Sequence, residues 1–189
     1  MMKLDRIKRL FIAIEIPPSV IKEVKRIQQF LKKEEVFHGR YVDPNKAHIT
    51  LKFLGDVEES KIPMIQKRLH TIKHQQMRAH LGNLDLFKSG DTNAVRVIFL
   101  SIVSPELAEI AKWIDDALTG LIAHESRIFT PHLTIARVKE IADYDILADI
   151  LDQFNVEPIT FDITSFVLKQ SKLSSDGPIY IDIECYKLA

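Results

Sequence analysis

"NKAHITLKFLG" spans Asn45 to Gly55, and "TPHLTIARV" spans Thr130 to Val138. Each holds a histidine, an apolar residue, a threonine and another apolar residue, in that order, inside a run that otherwise reads as buried strand. Side chains alternate faces along a strand. His48 and Thr50 therefore share one face, with Ile49, Leu51 and Phe53 on the other. His132 and Thr134 likewise share a face, opposite Leu133 and Ile135. The Cα atoms of each histidine and its threonine are spaced roughly 6.5 Å apart. The two histidines stand 132 − 48 = 84 residues apart, close to half of a 189-residue chain. A duplicated module of strand, helix and strands, packed about a pseudo-twofold axis, would bring both motifs to one cleft.

The surrounding sequence supplies such modules. Leu10 to Ile16 reads as a mostly buried strand, broken by Pro17-Pro18. Ser19 then reads as an N-cap for a helix with Val20, Val24, Ile27 and Leu31 at helical spacing. Asp43-Pro44-Asn45 is turn chemistry. The first motif strand follows from Ala47 and stops at Gly55-Asp56. Ile62, Ile65, Leu69 and Ile72 mark a second helix. Leu81 to Phe87 and Ala94 to Val103 read as strands joined by a turn at Gly90-Asp91. Ser104-Pro105-Glu106 opens a third helix. The second motif strand runs from Phe129 to Val138, and Tyr144 to Phe154 is a short helix. Ile159 to Lys169 and Ile179 to Leu188 read as closing strands separated by the turn-rich "SKLSSDGP". In the last strand Ile179, Ile181, Ile183 and Cys185 alternate with polar or aromatic residues, which places Cys185 in a core. Mixed elements with hairpin-length links predict an α+β fold rather than a doubly wound parallel sheet.

The chain is 46% hydrophobic and 28% charged, enough to bury a core within one domain or two small fused halves. Its 26 Lys and Arg balance 26 Asp and Glu, so no global basic field drives non-specific binding to nucleic acid. A local basic groove is compatible with that balance. One cysteine cannot form an internal disulfide and suits a reducing cytoplasm. The run Leu10 to Ile16 is too short and too charged for a signal peptide, and no apolar stretch reaches the roughly 18 residues of a membrane-spanning helix.

Taken singly, His-x-Thr-x fixes two residues and describes a core strand with a satisfied histidine. Two copies in matching contexts describe a site: two acid–base groups and two hydroxyl donors, with no carboxylate to repel an anion. Histidine titrates near neutral pH, and hydroxyls can hold non-bridging phosphate oxygens. One neutral and one protonated imidazole suit metal-free cleavage of a phosphodiester. As metal ligands, His48 and His132 would lack a carboxylate, cysteine or third histidine at ligand spacing. His70, His74 and His80 read as solvated. No Gly-rich phosphate loop and no Gly-x-Ser-x-Gly elbow occurs.

With these motifs the chain resembles the LigT-like RNA 2′,3′-cyclic phosphodiesterases, also called 2′-5′ RNA ligases, of the 2H phosphoesterase superfamily. The resemblance runs through "RLFIAIEIP" (9–17), "HITLKFLG" (48–55), "AVRVIFLSI" (94–102), "FTPHLTIARV" (129–138) and the end, "FVLKQSKLSSDGPIYIDIECYKL". It implies one bilobal α+β domain over residues 1–189, with antiparallel sheets flanking a central cleft. The implied reaction opens a terminal ribose 2′,3′-cyclic phosphate on RNA, a tRNA half for example, to the 2′-phosphomonoester. His48 would be the acid toward the 3′ oxygen and His132 the base that activates water. Thr50 and Thr134 would hold phosphate oxygens. Run backward, the site would join a cyclic end to a 5′-hydroxyl. No metal, cofactor or membrane is implied, and a cytoplasmic monomer is expected. Arg137 matches a phosphate-binding residue of the family, although strict alternation puts it opposite His132 unless the strand bulges. Phe11 matches an aromatic that could stack on a base. The competing readings are a phosphodiesterase for a small cyclic nucleotide and a non-catalytic nucleotide- or RNA-binding module.

Overall fold

The computed structural model describes residues 6–89, 94–124, 126–175 and 177–189. The Gly90-Asp91 turn lies outside them. In chain order the elements are β1 (Ile7–Glu15), α1 (Pro18–Glu34), β2 (Phe37–Tyr41), β3 (His48–Glu58), α2 (Ile62–Leu69), β4 (Met77–Lys88), β5 (Val95–Val103), α3 (Glu106–Ala117), β6 (His132–Ile141), α4 (Tyr144–Gln153), β7 (Thr160–Ile163), β8 (Ser165–Ser174) and β9 (Gly177–Lys187).

The strands form two antiparallel sheets, ordered β3-β1-β8-β9 and β2-β6-β5-β4-β7. Leaving β2 aside, β3-β1-β8-β9 corresponds to β6-β5-β4-β7, which is the pseudo-twofold that the motif spacing predicts. The halves are interlocked. Helix α1 follows β1 of the first sheet but packs on β6 of the second; α3 follows β5 of the second but packs on β3 of the first. The same periodicity builds both helices. Val20, Val24, Ile27 and Leu31 are buried on α1, and Leu107, Ile110 and Ile114 on α3. Burying each such side chain fully contributes about 1.5–3 kcal/mol.

Several local readings of the sequence are revised. Helix α1 starts at Pro18 rather than at a Ser19 cap, with proline where its missing N–H costs nothing. Strand β3 does not stop at Gly55: the glycine takes φ 72° and the strand continues to Glu58. Asp56 is tied there by Arg9, whose Nε donates over 2.9 Å. The segment read as one strand from Ile159 to Lys169 switches sheets at Thr164, so that β7 closes one sheet and β8 opens into the other. The turn-rich octapeptide belongs largely to the β8–β9 ladder, paired out to Ser174 and Gly177. Cys185 is exposed, because β9 is an edge strand and buries Tyr186 instead. His74, read as solvated, is buried, with Nδ1 2.8 Å from the carbonyl of Gln75.

Candidate active site

Both motif histidines open their strands: His48 is the first residue of β3 and His132 the first of β6. A short 3₁₀ turn, Pro44–Lys46, capped by the Asp43 carboxylate on the Asn45 N–H at 3.0 Å, sets the approach to the first. The Nδ1 of His48 lies 2.8 Å from the carbonyl oxygen of Lys46, and that of His132 lies 2.6 Å from the carbonyl oxygen of Thr130. A carbonyl only accepts, so each Nδ1 carries the proton and each neutral imidazole keeps its lone pair on Nε2. Two residues 84 positions apart are thus held by the same i−2 backbone contact.

Each ring is also wedged between aromatics. His48 sits 5.0 Å from Phe11 and 5.1 Å, edge-on, from Tyr180. His132 sits 4.9 Å from Phe87 and 5.4 Å from Phe99. Burial lowers the pKa of both histidines, since an imidazolium loses hydration there. For His48 the Lys46 carbonyl and the Glu15 carboxylate oppose that fall, while Lys169 and His132 add to it. For His132 the Thr130 carbonyl opposes it and Arg137 adds to it.

His48, Thr50, His132, Thr134 and Arg137 all line one cavity of about 1030 Å³. Arg137 reaches it through a bulge. In the β5–β6 ladder Ile98 pairs with Ala136 and Phe99 with Thr134, leaving Ile135 as the extra residue. The alternation slips by one, so Ile135 and Ala136 are both buried and Arg137 turns to the cleft. The first motif does the same. Ile12 pairs with Lys52 and Ala13 with Thr50, leaving Leu51 extra. Phe53, placed by strict alternation on the core face with Ile49 and Leu51, is instead 61% exposed and lines the cleft.

Phe11 is 3% exposed and does not line this cavity; its ring lies under His48 with no face open to a base. Phe53 and Tyr180 also line the cleft, and the sequence reading singles out neither. A lysine inside an apolar run, at "LKF", was the available signal for the bulge at the first; nothing local marked the second. A further hollow of about 500 Å³ lies beside His48, lined by Glu15, Lys46, Lys169, Tyr180 and Asp182 among others.

The neutral chain concentrates its positive charge here. Among the described residues the cleft is lined by Lys32, Arg40, Lys46, Lys88, Arg127 and Arg137 against one carboxylate, Asp43; Lys52 also borders it, but its buried ammonium is paired with Asp115. This is a local anion-attracting groove. Among those residues no group of three or more His, Cys, Asp or Glu is placed to hold a metal ion, and no helix is long and apolar enough to cross a membrane.

The chain has relatives. Residues 16–172 match the model of the 2′-5′ RNA ligase superfamily. An RNA 2′,3′-cyclic phosphodiesterase of Methanocaldococcus jannaschii is 34% identical over 173 residues, covering 91% of this chain and 96% of the relative. One of Methanothermobacter thermautotrophicus is 30% identical over 184 residues, covering 95% and 98%. The fold is shared with a solved structure from Thermus thermophilus (TM-score 0.77, 24% identity, 95% of this chain and 97% of that one). It is also shared with E. coli LigT in a complex with 3′-AMP (TM-score 0.74, 21% identity, 97% and 99%).

Proposed function

The chain belongs to the 2′-5′ RNA ligase superfamily, and from that premise we propose that it is an RNA 2′,3′-cyclic phosphodiesterase whose two histidines are the acid and the base. The observation that carries the reading is the pair of imidazoles in one cationic cleft, each with Nδ1 bound to a carbonyl and Nε2 free for a proton. Relatives at 34% and 30% identity, matched nearly end to end, bear the name of that activity.

In this mechanism Nε2 of neutral His132 takes a proton from water. The water oxygen bonds to phosphorus as the P–O3′ bond breaks. Nε2 of protonated His48 gives its proton to the departing 3′ oxygen. The products are a 2′-phosphomonoester and a 3′-hydroxyl, and solvent returns each histidine to its starting state. Thr50 and Thr134 donate to non-bridging oxygens, and Arg137 balances the charge gathering on them. Well-placed general acid–base catalysis of this kind contributes about 10²–10⁴-fold per group. A 5′-hydroxyl in place of the water would give the 2′-5′ linkage.

The assignment of acid and base is the one the family resemblance implies, and the local charges bear on it from both sides: Lys169 and His132 oppose a charged His48. Glu15 favours the imidazolium of His48, whereas Arg137 disfavours that of His132. The cationic lining favours an RNA end, such as that of a tRNA half, over a free mononucleotide, and exposed Phe53 offers a ring to a base. Both motif strands come from one chain, which supports a monomer acting as a single bilobal unit. The unpaired Cys185 fits a reducing cytoplasm.

The test is product analysis with cytidine 2′,3′-cyclic phosphate and with a short RNA carrying the same end, in EDTA. The 2′-phosphate alone is expected. A 3′-phosphate would reverse the acid and base. No cleavage with binding retained would make the cleft a binding module, and cleavage of the mononucleotide but not the RNA would favour a small cyclic substrate. Loss of activity in EDTA, restored by zinc, would overturn the two-histidine mechanism.

A further inference from the structure

The bulges at Leu51 and Ile135 lie at the same offset, three residues past their histidines. Without them Phe53 and Arg137 would face away from the cleft. An extra strand residue is left unpaired by the ladder, so something else must hold it. Two buried polar side chains stand at these places.

Gln28 of α1 is 4% exposed. Its amide donates to the Val42 carbonyl at 2.7 Å and to the carbonyl of Ile135, the bulged residue, at 3.1 Å. The Val42 N–H donates to the same Ile135 oxygen at 3.1 Å. A one-residue slip of β6 would remove this acceptor from a buried amide, and a buried donor without an acceptor is costly. Among the described residues β3 is an edge strand, paired with β1 alone. There the bulge turns Lys52 into the core, where its ammonium pairs with Asp115 of α3 and donates to the Ala123 carbonyl at 3.0 Å. Gln28 is 28 − 18 = 10 residues past the first residue of α1, and Asp115 is 115 − 106 = 9 past that of α3. These are the two helices that the halves exchange.

We infer that each bulge is keyed by a buried polar side chain of the exchanged helix, and that Gln28 is thereby a positioning residue that keeps Arg137 in the cleft. Gln28 lines the cleft, but its side-chain amide donates to the two backbone carbonyls. It acts through the Ile135 carbonyl, whose place decides which face Arg137 takes. Asp115 acts through Lys52, whose inward turn sends Phe53 outward. The inference rests on the cyclic phosphodiesterase reading only for its kinetic test.

The test is a double-mutant cycle of Gln28→Met and Arg137→Ala, read as kcat/KM for cytidine 2′,3′-cyclic phosphate below the unfolding temperature of all four proteins. Misplacing a binding group by about 1 Å costs up to about 10²-fold. Gln28→Met is therefore expected to lose at least about 10-fold when Arg137 is present. Once Arg137 is gone it should lose less than about twofold. An equal loss in both backgrounds, or none in either, overturns the inference. The same four proteins are titrated calorimetrically with adenosine 2′-monophosphate, which needs no turnover. If the wild type fails to hydrolyse but the binding cycle is non-additive, the functional reading falls and the positioning stands. Should Gln28→Met fail to fold, Gln28→Asn, too short to reach both carbonyls, takes its place in the cycle.

Discussion

Glu15 lies directly opposite His48 across the β1–β3 ladder, and Ser101 holds the matching place opposite His132 across β5–β6. The pseudo-twofold is therefore broken at one pair of positions, by a carboxylate against a hydroxyl. Glu15 is paired in turn with Lys169, which also bonds Asp182 at 2.5 Å. This charged row crosses three strands behind His48.

With His48 as the acid and His132 as the base, that asymmetry bears on the expected pH profile. The base must be neutral and the acid protonated, so kcat/KM peaks midway between the two pKa values of the free enzyme. Burial brings both histidines below their ordinary value of 6.5. The bell should therefore peak on the acid side of 6.5, falling at low pH as His132 gains its proton and at high pH as His48 loses its own. Glu15→Gln removes a charge that holds the His48 pKa up and leaves Lys169 less compensated. Its alkaline limb should move to lower pH with the acid limb nearly in place. A pH series on wild type and variant checks this, and an alkaline limb that stays or rises counts against Glu15 as the tuning group.

His48→Ala and His132→Ala should each lower turnover of a 2′,3′-cyclic end by about 10²–10⁴-fold. Both side chains stand at the cleft ends of their strands, so the fold should survive, as judged by circular dichroism and the thermal midpoint. Near wild-type turnover in either variant would remove that histidine from the mechanism.

The sequence announced the two halves because the motif carries its own periodicity. His48 and His132 differ from core residues in type, and alternation alone puts each beside its threonine. The α+β class followed from the mixing of strands and helices and from hairpin-length links between several strand pairs. What alternation cannot show is where it fails. A bulge costs one residue of register and leaves almost no mark in composition, so Phe53 was placed on the wrong face. Arg137 could be read either way until the ladder was seen. Phe11 and Phe53 are two aromatics of one sheet, yet only pairing tells that the first is a floor for His48 and the second an open ring. The switch between sheets at Thr164 was equally silent, because Phe161 and Ile163 of β7 run on into Phe166, Val167 and Leu168 of β8 with no glycine or proline between them.

The cationic lining makes a prediction that a mononucleotide cannot satisfy. Each single-strand phosphate neutralised by the protein contributes about −0.7 to the slope of log K against log salt. An oligonucleotide substrate should therefore show a steeper loss of kcat/KM with salt than cytidine 2′,3′-cyclic phosphate. Lys88 stands on the cleft with its ammonium 4.3 Å above the Tyr144 ring. Lys88→Ala should reduce the oligonucleotide slope by about 0.7 and leave the mononucleotide rate unchanged. Equal slopes for the two substrates would mean that the cleft reads the terminal nucleotide alone.

The Lys52–Asp115 pair separates stability from function. Both side chains are buried, and the second oxygen of Asp115 is met by His124. Asp115→Ala leaves the Lys52 ammonium in the core without its carboxylate, a change that costs about 3–5 kcal/mol when a buried pair is broken. Replacing both partners by apolar side chains of similar size, Lys52→Met with Asp115→Leu, removes the charge and its desolvation together and should restore most of that stability. It should restore kcat/KM only in part, because a buried methionine fills the place of Lys52 but is not tied to α3 by an ion pair, and so fixes the register of the bulge less tightly. Urea unfolding of the single and double variants measures the first effect, and turnover of the same preparations measures the second. Full recovery of kcat/KM in the double variant would show that the bulge needs only an apolar residue at position 52, and the ion pair would then be a matter of stability alone.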